Sequence, residues 1–127
     1  MCETTLGGSE ALAMICRIWH GWTAPQNADA YEQLLREQVF KGIHARAIRG
    51  FRGIELLRRE AGSAGAETEF VTLMWFDALD AVREFAGPEY ERAVVPPAAR
   101  ALLSRFDERS AHFEVRVPAP VRALDRP

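Results

Sequence analysis

Residues 67–87, ETEFVTLMWFDALDAVREFAG, decide the fold of this chain. Within them, residues 68–76 carry apolar side chains on both alternating faces: Val71, Leu73 and Trp75 on one, Phe70, Met74 and Phe76 on the other. A strand apolar on both sides belongs in the middle of a sheet covered on both faces. Asp77 breaks the alternation, and its carboxylate suits the free N–H groups of a starting helix. Asp80 adds negative charge where the helix dipole favours it. Leu79, Val82, Phe85 and Ala86 then recur at helical spacing, giving that helix one apolar stripe. Gly87 and Pro88 end it, the glycine through a left-handed cap and the proline because its ring cannot extend a helix.

Working outward, residues 54–59 read as the preceding strand, entered through the glycine-punctuated turn RGFRG at 49–53. At least one of Gly50 and Gly53 is expected at positive φ, because the chain reverses tightly there. Residues 61–66, AGSAGA, are the hairpin loop between the two strands. Residues 14–22, MICRIWHGW, form the first strand, with Ile15, Arg17 and Trp19 on one face and Cys16, Ile18 and His20 on the other. Asn27 caps a helix over 28–38 that carries Tyr31, Leu34 and Leu35, and a second helical segment, 39–48, bends round the end of the sheet. Downstream, the pattern predicts short helices over 90–95 and 97–104, the latter started by Pro97. A last strand, AHFEVRV, follows at 111–117. Residues 1–12 read as a leader, 13–117 as the domain and 118–127 as a tail.

The order strand, helix, strand, strand, helix, strand folds as a ferredoxin-like α+β unit, a four-stranded antiparallel sheet with helices on one face. Helices on one face leave the other apolar side of residues 68–76 bare. Monomers do not tolerate so large an apolar patch, so a homodimer packed sheet against sheet is expected.

With 127 residues, 48% apolar and 27% charged, the chain is an ordinary single globular domain. Its net charge of −2, with acids and bases interspersed, recommends neither nucleic acid nor membrane as partner. The local cluster Arg46, Arg49, Arg52, Arg58 and Arg59 is interleaved with Glu55 and Glu60 and reads as a solvated face. Two cysteines, Cys2 and Cys16, make no disulfide framework, and Cys16 reads as a buried thiol. Without a basic, apolar leader, the chain is expected to be cytoplasmic.

The turn-and-strand RGFRGIELLRR, followed by FVTLMWFDALDAVREFAGPEY, resembles the antibiotic biosynthesis monooxygenase domain over roughly residues 14–117. The resemblance implies a dimeric α+β barrel built from two ferredoxin-like units. Members of that family oxidise polyketide phenols without metal or flavin, degrade haem, or have no assigned reaction. Haem degraders carry a ligating histidine on the second helix. Here that helix has Glu84 and Phe85 near the place and no histidine. Trp75 matches the family's strand tryptophan, which in the cofactor-free oxygenases lies in the substrate cavity.

Three histidines remain to be weighed. His20 and His112 lie near one end of neighbouring strands, with Glu67 and Glu69 close by, a set that would suit a metal. Parity opposes it, since His112 shares a face with Arg17 and Trp19 while His20 points the other way. His44, on the helical segment after Gly42, is the candidate general base. No phosphate loop, zinc-spaced cysteine pair, nucleophile elbow or flavin fingerprint occurs. An oxygenase of this kind therefore uses no cofactor, and its substrate supplies the electrons. The expected machinery is His44 as base, Trp75 and Trp22 as stacking walls, and Arg17 or Tyr31 as donor to a developing oxyanion. Three classes fit: a cofactor-independent monooxygenase acting on a small aromatic or polyketide-type ligand, a ligand- or haem-binding dimer without turnover, and a dimeric structural or stress-related module.

Overall fold

The computed structural model of the protein describes residues 14–60, 62 and 66–117. The expected leader and tail, and residues 61 and 63–65 of the hairpin loop, lie outside them. The chain runs β1 (Ile15–Thr23), a single 3-10 turn (Pro25–Asn27), α1 (Ala28–Leu34), a π-helical turn (Leu35–Val39) and α2 (Phe40–Ala45). It continues through β2 (Phe51–Arg59), β3 (Thr68–Phe76), α3 (Leu79–Ala86), α4 (Pro97–Leu102), β4 (Leu103–Phe106) and β5 (Ala111–Glu114). The sheet order is β2-β3-β1-β4, with β5 also paired to β1, and every pairing is antiparallel. This is the ferredoxin-like α+β arrangement, its last strand divided in two.

The doubly apolar strand occupies residues 68–76 as expected and sits between β1 and β2. Its two faces have different fates. Phe70, Met74 and Phe76 are buried beneath the helices, Phe70 and Phe76 at 0% exposure. Val71, Leu73 and Trp75 are only half-buried, because none of the described helices packs on their side. The core between sheet and helices forms two clusters. One joins Ile48, Met74 and Phe76 to Ala81, Val82 and Phe85, and the other joins Phe70 to Ala28, Tyr31, Leu35 and Ala99.

Four local readings are corrected. Asp77 does not cap α3; Ala78 holds that position without a side-chain cap. Asp77 instead takes a bidentate pair from Arg52, Nε to Oδ1 at 2.7 Å and Nη2 to Oδ2 at 2.6 Å, which ties the start of β2 to the end of β3. Strand β2 begins at Phe51 rather than residue 54, because a bulge between Phe51 and Gly53 lets the turn join the ladder. Both Gly50 (φ 87°) and Gly53 (φ 150°) take positive φ there, and a Cβ on Gly50 would lie 3.0 Å from that of Ala81. Residues 90–95 are not a helix but turns and an extended run, bridged to the β4–β5 connection through Arg92 and Arg109. Finally, α4 stops at Leu102, and residues 103–106 leave it as β4, where Ser104 and Arg105 flank the edge of β1.

Candidate functional site

The two core clusters do not quite meet. Between them, under the helices, is a cavity of about 60 Å³ walled by Tyr31 and Leu35 from one cluster and Met74 and Phe85 from the other. Arg17, Trp19 and Thr72 form its floor on the sheet, and Val94, Val95, Pro96 and Ser110 close one side. Helical residues reach it because of the π-helical turn. Tyr31, Leu35, Val39 and Ile43 all line the cavity, each four positions after the last. In a straight α-helix a residue twelve positions on would have rotated by about 120°. The wider turn, in which Phe40 N–H bonds Leu35 C=O, takes up part of that rotation and keeps the four on one side.

Arg17 is the unusual member. Its side chain is 3% exposed on a strand, lodged beside the Phe85 ring with Cζ 5.4 Å from the centroid. Its partners are neutral. Nη1 donates to the Tyr90 carbonyl and to His112 Nε2 (2.9 Å), and Nη2 donates to the Arg92 carbonyl (3.1 Å). A guanidinium only donates, so His112 must accept at Nε2, which fixes the neutral tautomer with its proton on Nδ1. Burial lowers the Arg17 pKa to about 10, leaving it charged at neutral pH. Burial, and then the Arg17 charge, push the His112 pKa below its ordinary value. The result is a buried cation balanced by dipoles rather than by a carboxylate. Such a cation is poised for an anion, because a desolvated charge gains most from a partner of opposite sign. Tyr31 stands opposite, 1% exposed and edge-on to Phe70 at 4.8 Å. Burial raises its pKa, so it remains a neutral phenol and cannot serve as a base at neutral pH.

Of the expected site residues, the cavity brings together Arg17 and Tyr31 and leaves out the other three. Trp75 pairs with Cys16 and Gly53 on the opposite face of the sheet. Trp22 lies on that opposite face too, under the Arg105 guanidinium at 3.9 Å, with Arg105 Nε bonded to Glu67 at 2.8 Å. His44 is exposed on α2 and its ring meets Phe51 edge-on at 5.4 Å, outside the cavity lining. The other two histidines lie on opposite faces, as strand parity requires: His112 sits across from Arg17, while His20 binds Glu69 at 2.9 Å on the far face. Among the described residues no group of three or more His, Cys, Asp or Glu is placed to hold a metal ion.

Two lining residues were missed by the sequence reading. Trp19, whose indole Nε1 donates to the Asp107 carbonyl at 2.6 Å, is the tryptophan that borders the cavity. It shares parity with Arg17, so naming Arg17 should have named Trp19 in place of Trp22. Ser110 had no signal in the sequence, since its place in the lining depends on a connection between strands.

No family model matches the sequence, and no curated protein does so. Solved structures do match in fold. A putative antibiotic biosynthesis monooxygenase from Bacillus cereus aligns with TM-score 0.57 at 13% identity, covering 84% of this chain and 97% of that one. A conserved protein from Methanosarcina mazei aligns at 0.51 and 9% identity, covering 86% and 97%. A monooxygenase from Streptomyces coelicolor, in complex with the ligand nanaomycin D, aligns at 0.50 and 14%, covering 88% and 95%. The class is thus a ferredoxin-like α+β protein. More narrowly, its fold is that of the antibiotic biosynthesis monooxygenase domain, as the resemblance in sequence implied.

Proposed function

We propose that this protein is a cofactor-independent monooxygenase-like enzyme that binds a small aromatic, polyketide-type substrate between its helices and sheet. The observation that carries the proposal is Arg17, a buried cation with neutral partners opening onto a mainly apolar cavity. Such a group favours the ionised form of a phenol or enol, whose proton leaves to water. The electron-rich anion then passes one electron to dioxygen, and the radical pair combines into a peroxide at carbon. Loss of water from that peroxide leaves a carbonyl, so one oxygen atom stays in the product and the other departs as water. The protein contributes orientation, exclusion of water and stabilisation of the anion. No proton transfer is assigned to His44. The cavity is smaller than the roughly 300–1,000 Å³ of typical ligand sites, so the wall formed by Val94, Val95 and Pro96 must yield on binding. The likeness in fold to a monooxygenase solved with the ligand nanaomycin D supports the reading.

The second part of the proposal is a homodimer closed through the bare sheet face. Ile18, Val71, Leu73 and Trp75 form its centre, with Leu57 (49% exposed) and Phe113 (55%) standing out beside them. Charged groups rim it: Glu69 takes His20 and Arg59, and Glu67 takes Arg105. An apolar centre within a polar rim is how stable protein interfaces are built, and about 1,200–2,000 Å² of buried surface is usual.

Dioxygen uptake with electron-rich phenols and anthrone-type compounds tests the activity. Consumption above the uncatalysed rate is expected, with Arg17→Gln strongly reduced. No enzyme-dependent uptake across such a panel would refute the reading.

A further inference from the structure

We propose that Ser110 is a ligand-binding residue, its hydroxyl joining the Arg17 guanidinium to hold the ionised oxygen of a phenol or enol. Three observations meet here. Ser110 is 6% exposed, and its Oγ is buried without a hydrogen-bond partner among the described residues. It lines the same cavity as Arg17. Its position is also built. Ser110 N–H bonds the Glu91 carbonyl at 2.7 Å, and the neighbouring Ala93 N–H bonds the Glu108 carbonyl at 2.9 Å, so the backbone is held against residues 91–93. Two residues on, His112 faces Arg17 across the β1–β5 ladder, and Ser110, just before that strand begins, lines the cavity together with Arg17.

A buried hydroxyl with no partner is a cost to the fold. Thr23 carries a similar unpartnered hydroxyl, but it does not line the cavity and marks no site. At Ser110 the cost is offset when a ligand oxygen arrives, because an anionic acceptor uses the hydroxyl proton and the guanidinium together. The aromatic ring of the ligand then lies along the apolar wall of Trp19, Met74 and Phe85. The inference rests on the proposed aromatic site and adds the recognition of its oxygen.

The probe is 4-nitrophenol, whose phenolate absorbs at longer wavelength than the phenol, so one titration reads both affinity and ionisation in the complex. The native protein is expected to bind it mainly as phenolate. Ser110→Ala is expected to weaken binding by about tenfold or more and to raise the bound phenol's apparent pKa. Its thermal midpoint should be unchanged or higher, since an unpartnered hydroxyl has been removed. Unaltered affinity in Ser110→Ala would overturn the role of Ser110 while leaving the aromatic cavity standing. A lowered midpoint with proportionate loss of binding would show a structural residue and also overturn it. Absence of saturable binding to the native protein would overturn both.

Discussion

The two faces of one sheet differ more than their sequences suggest. Strand β3 offers Phe70, Met74 and Phe76 to one side and Val71, Leu73 and Trp75 to the other, sets of equal apolar weight. The first set is sealed under helices, and its Met74 borders the cavity. The second is open. What separates them is what lies next door: β1 contributes Arg17, Trp19, Gly21 and Thr23 to the covered face and Cys16, Ile18, His20 and Trp22 to the bare one. The covered face thus carries the buried cation, and the bare face carries an apolar centre bordered by His20, Glu55 and Glu69. A buried cation under the helices, and an apolar centre within a charged rim left outside, is the division expected if one face binds a ligand and the other a second copy.

Truncating one residue on each face sharpens the comparison. Phe70→Ala should cost about 3–5 kcal/mol, as for other buried phenylalanines. Leu57→Ala, on the bare face, should cost much less in a protein kept monomeric by dilution. Chemical denaturation at low and high protein concentration measures both. Equal losses at every concentration would break the distinction.

A charge set into the bare face is the next test. Phe113→Glu should leave the monomer folded while shifting sedimentation at micromolar concentration from dimer to monomer. A native protein that already sediments as a stable monomer would remove the role given to that face.

The smallest expected effect concerns His112. Its pKa is depressed in the folded chain by burial and by Arg17, so the fold prefers the neutral ring. The sign follows from linkage. The contribution to stability is fully present above the ordinary histidine value of about 6.5. It is lost progressively as the pH falls from there through the folded value, because the unfolded chain accepts the proton more readily. Denaturation midpoints between pH 8 and 5 should therefore fall less steeply in His112→Gln than in the native protein. Parallel curves would show that the imidazole is not held neutral by Arg17.

Much of the fold was legible because it rests on local patterns. The two-sided apolar run 68–76 could only be a central strand, and Gly50 and Gly53 could be read as a turn from their lack of side chains. The last strand was read as too long and single. Pro97 gives a strong helix start, while LSRF at 103–106 has no alternation to mark a strand, and only pairing with β1 makes it one. The site was legible in part for a similar reason. Arg17 stood out as a charge within an apolar strand, but the choice among Trp19, Trp22 and Trp75 turned on which face the helices cover. That is settled by the handedness of two crossovers and by packing, not by any one residue. Ser110 becomes notable only when residues 91–93 have been folded against it.

The central claim is that ligand and helices share one face of the sheet. The indole N–H signals of the three tryptophans test it in one nuclear magnetic resonance titration with 4-nitrophenol. Trp19, in the cavity floor, should shift with saturation, and Trp22 and Trp75, on the far face, should stay in place. A saturating shift of Trp75 with Trp19 unmoved would put the ligand on the other side of the sheet and contradict the account.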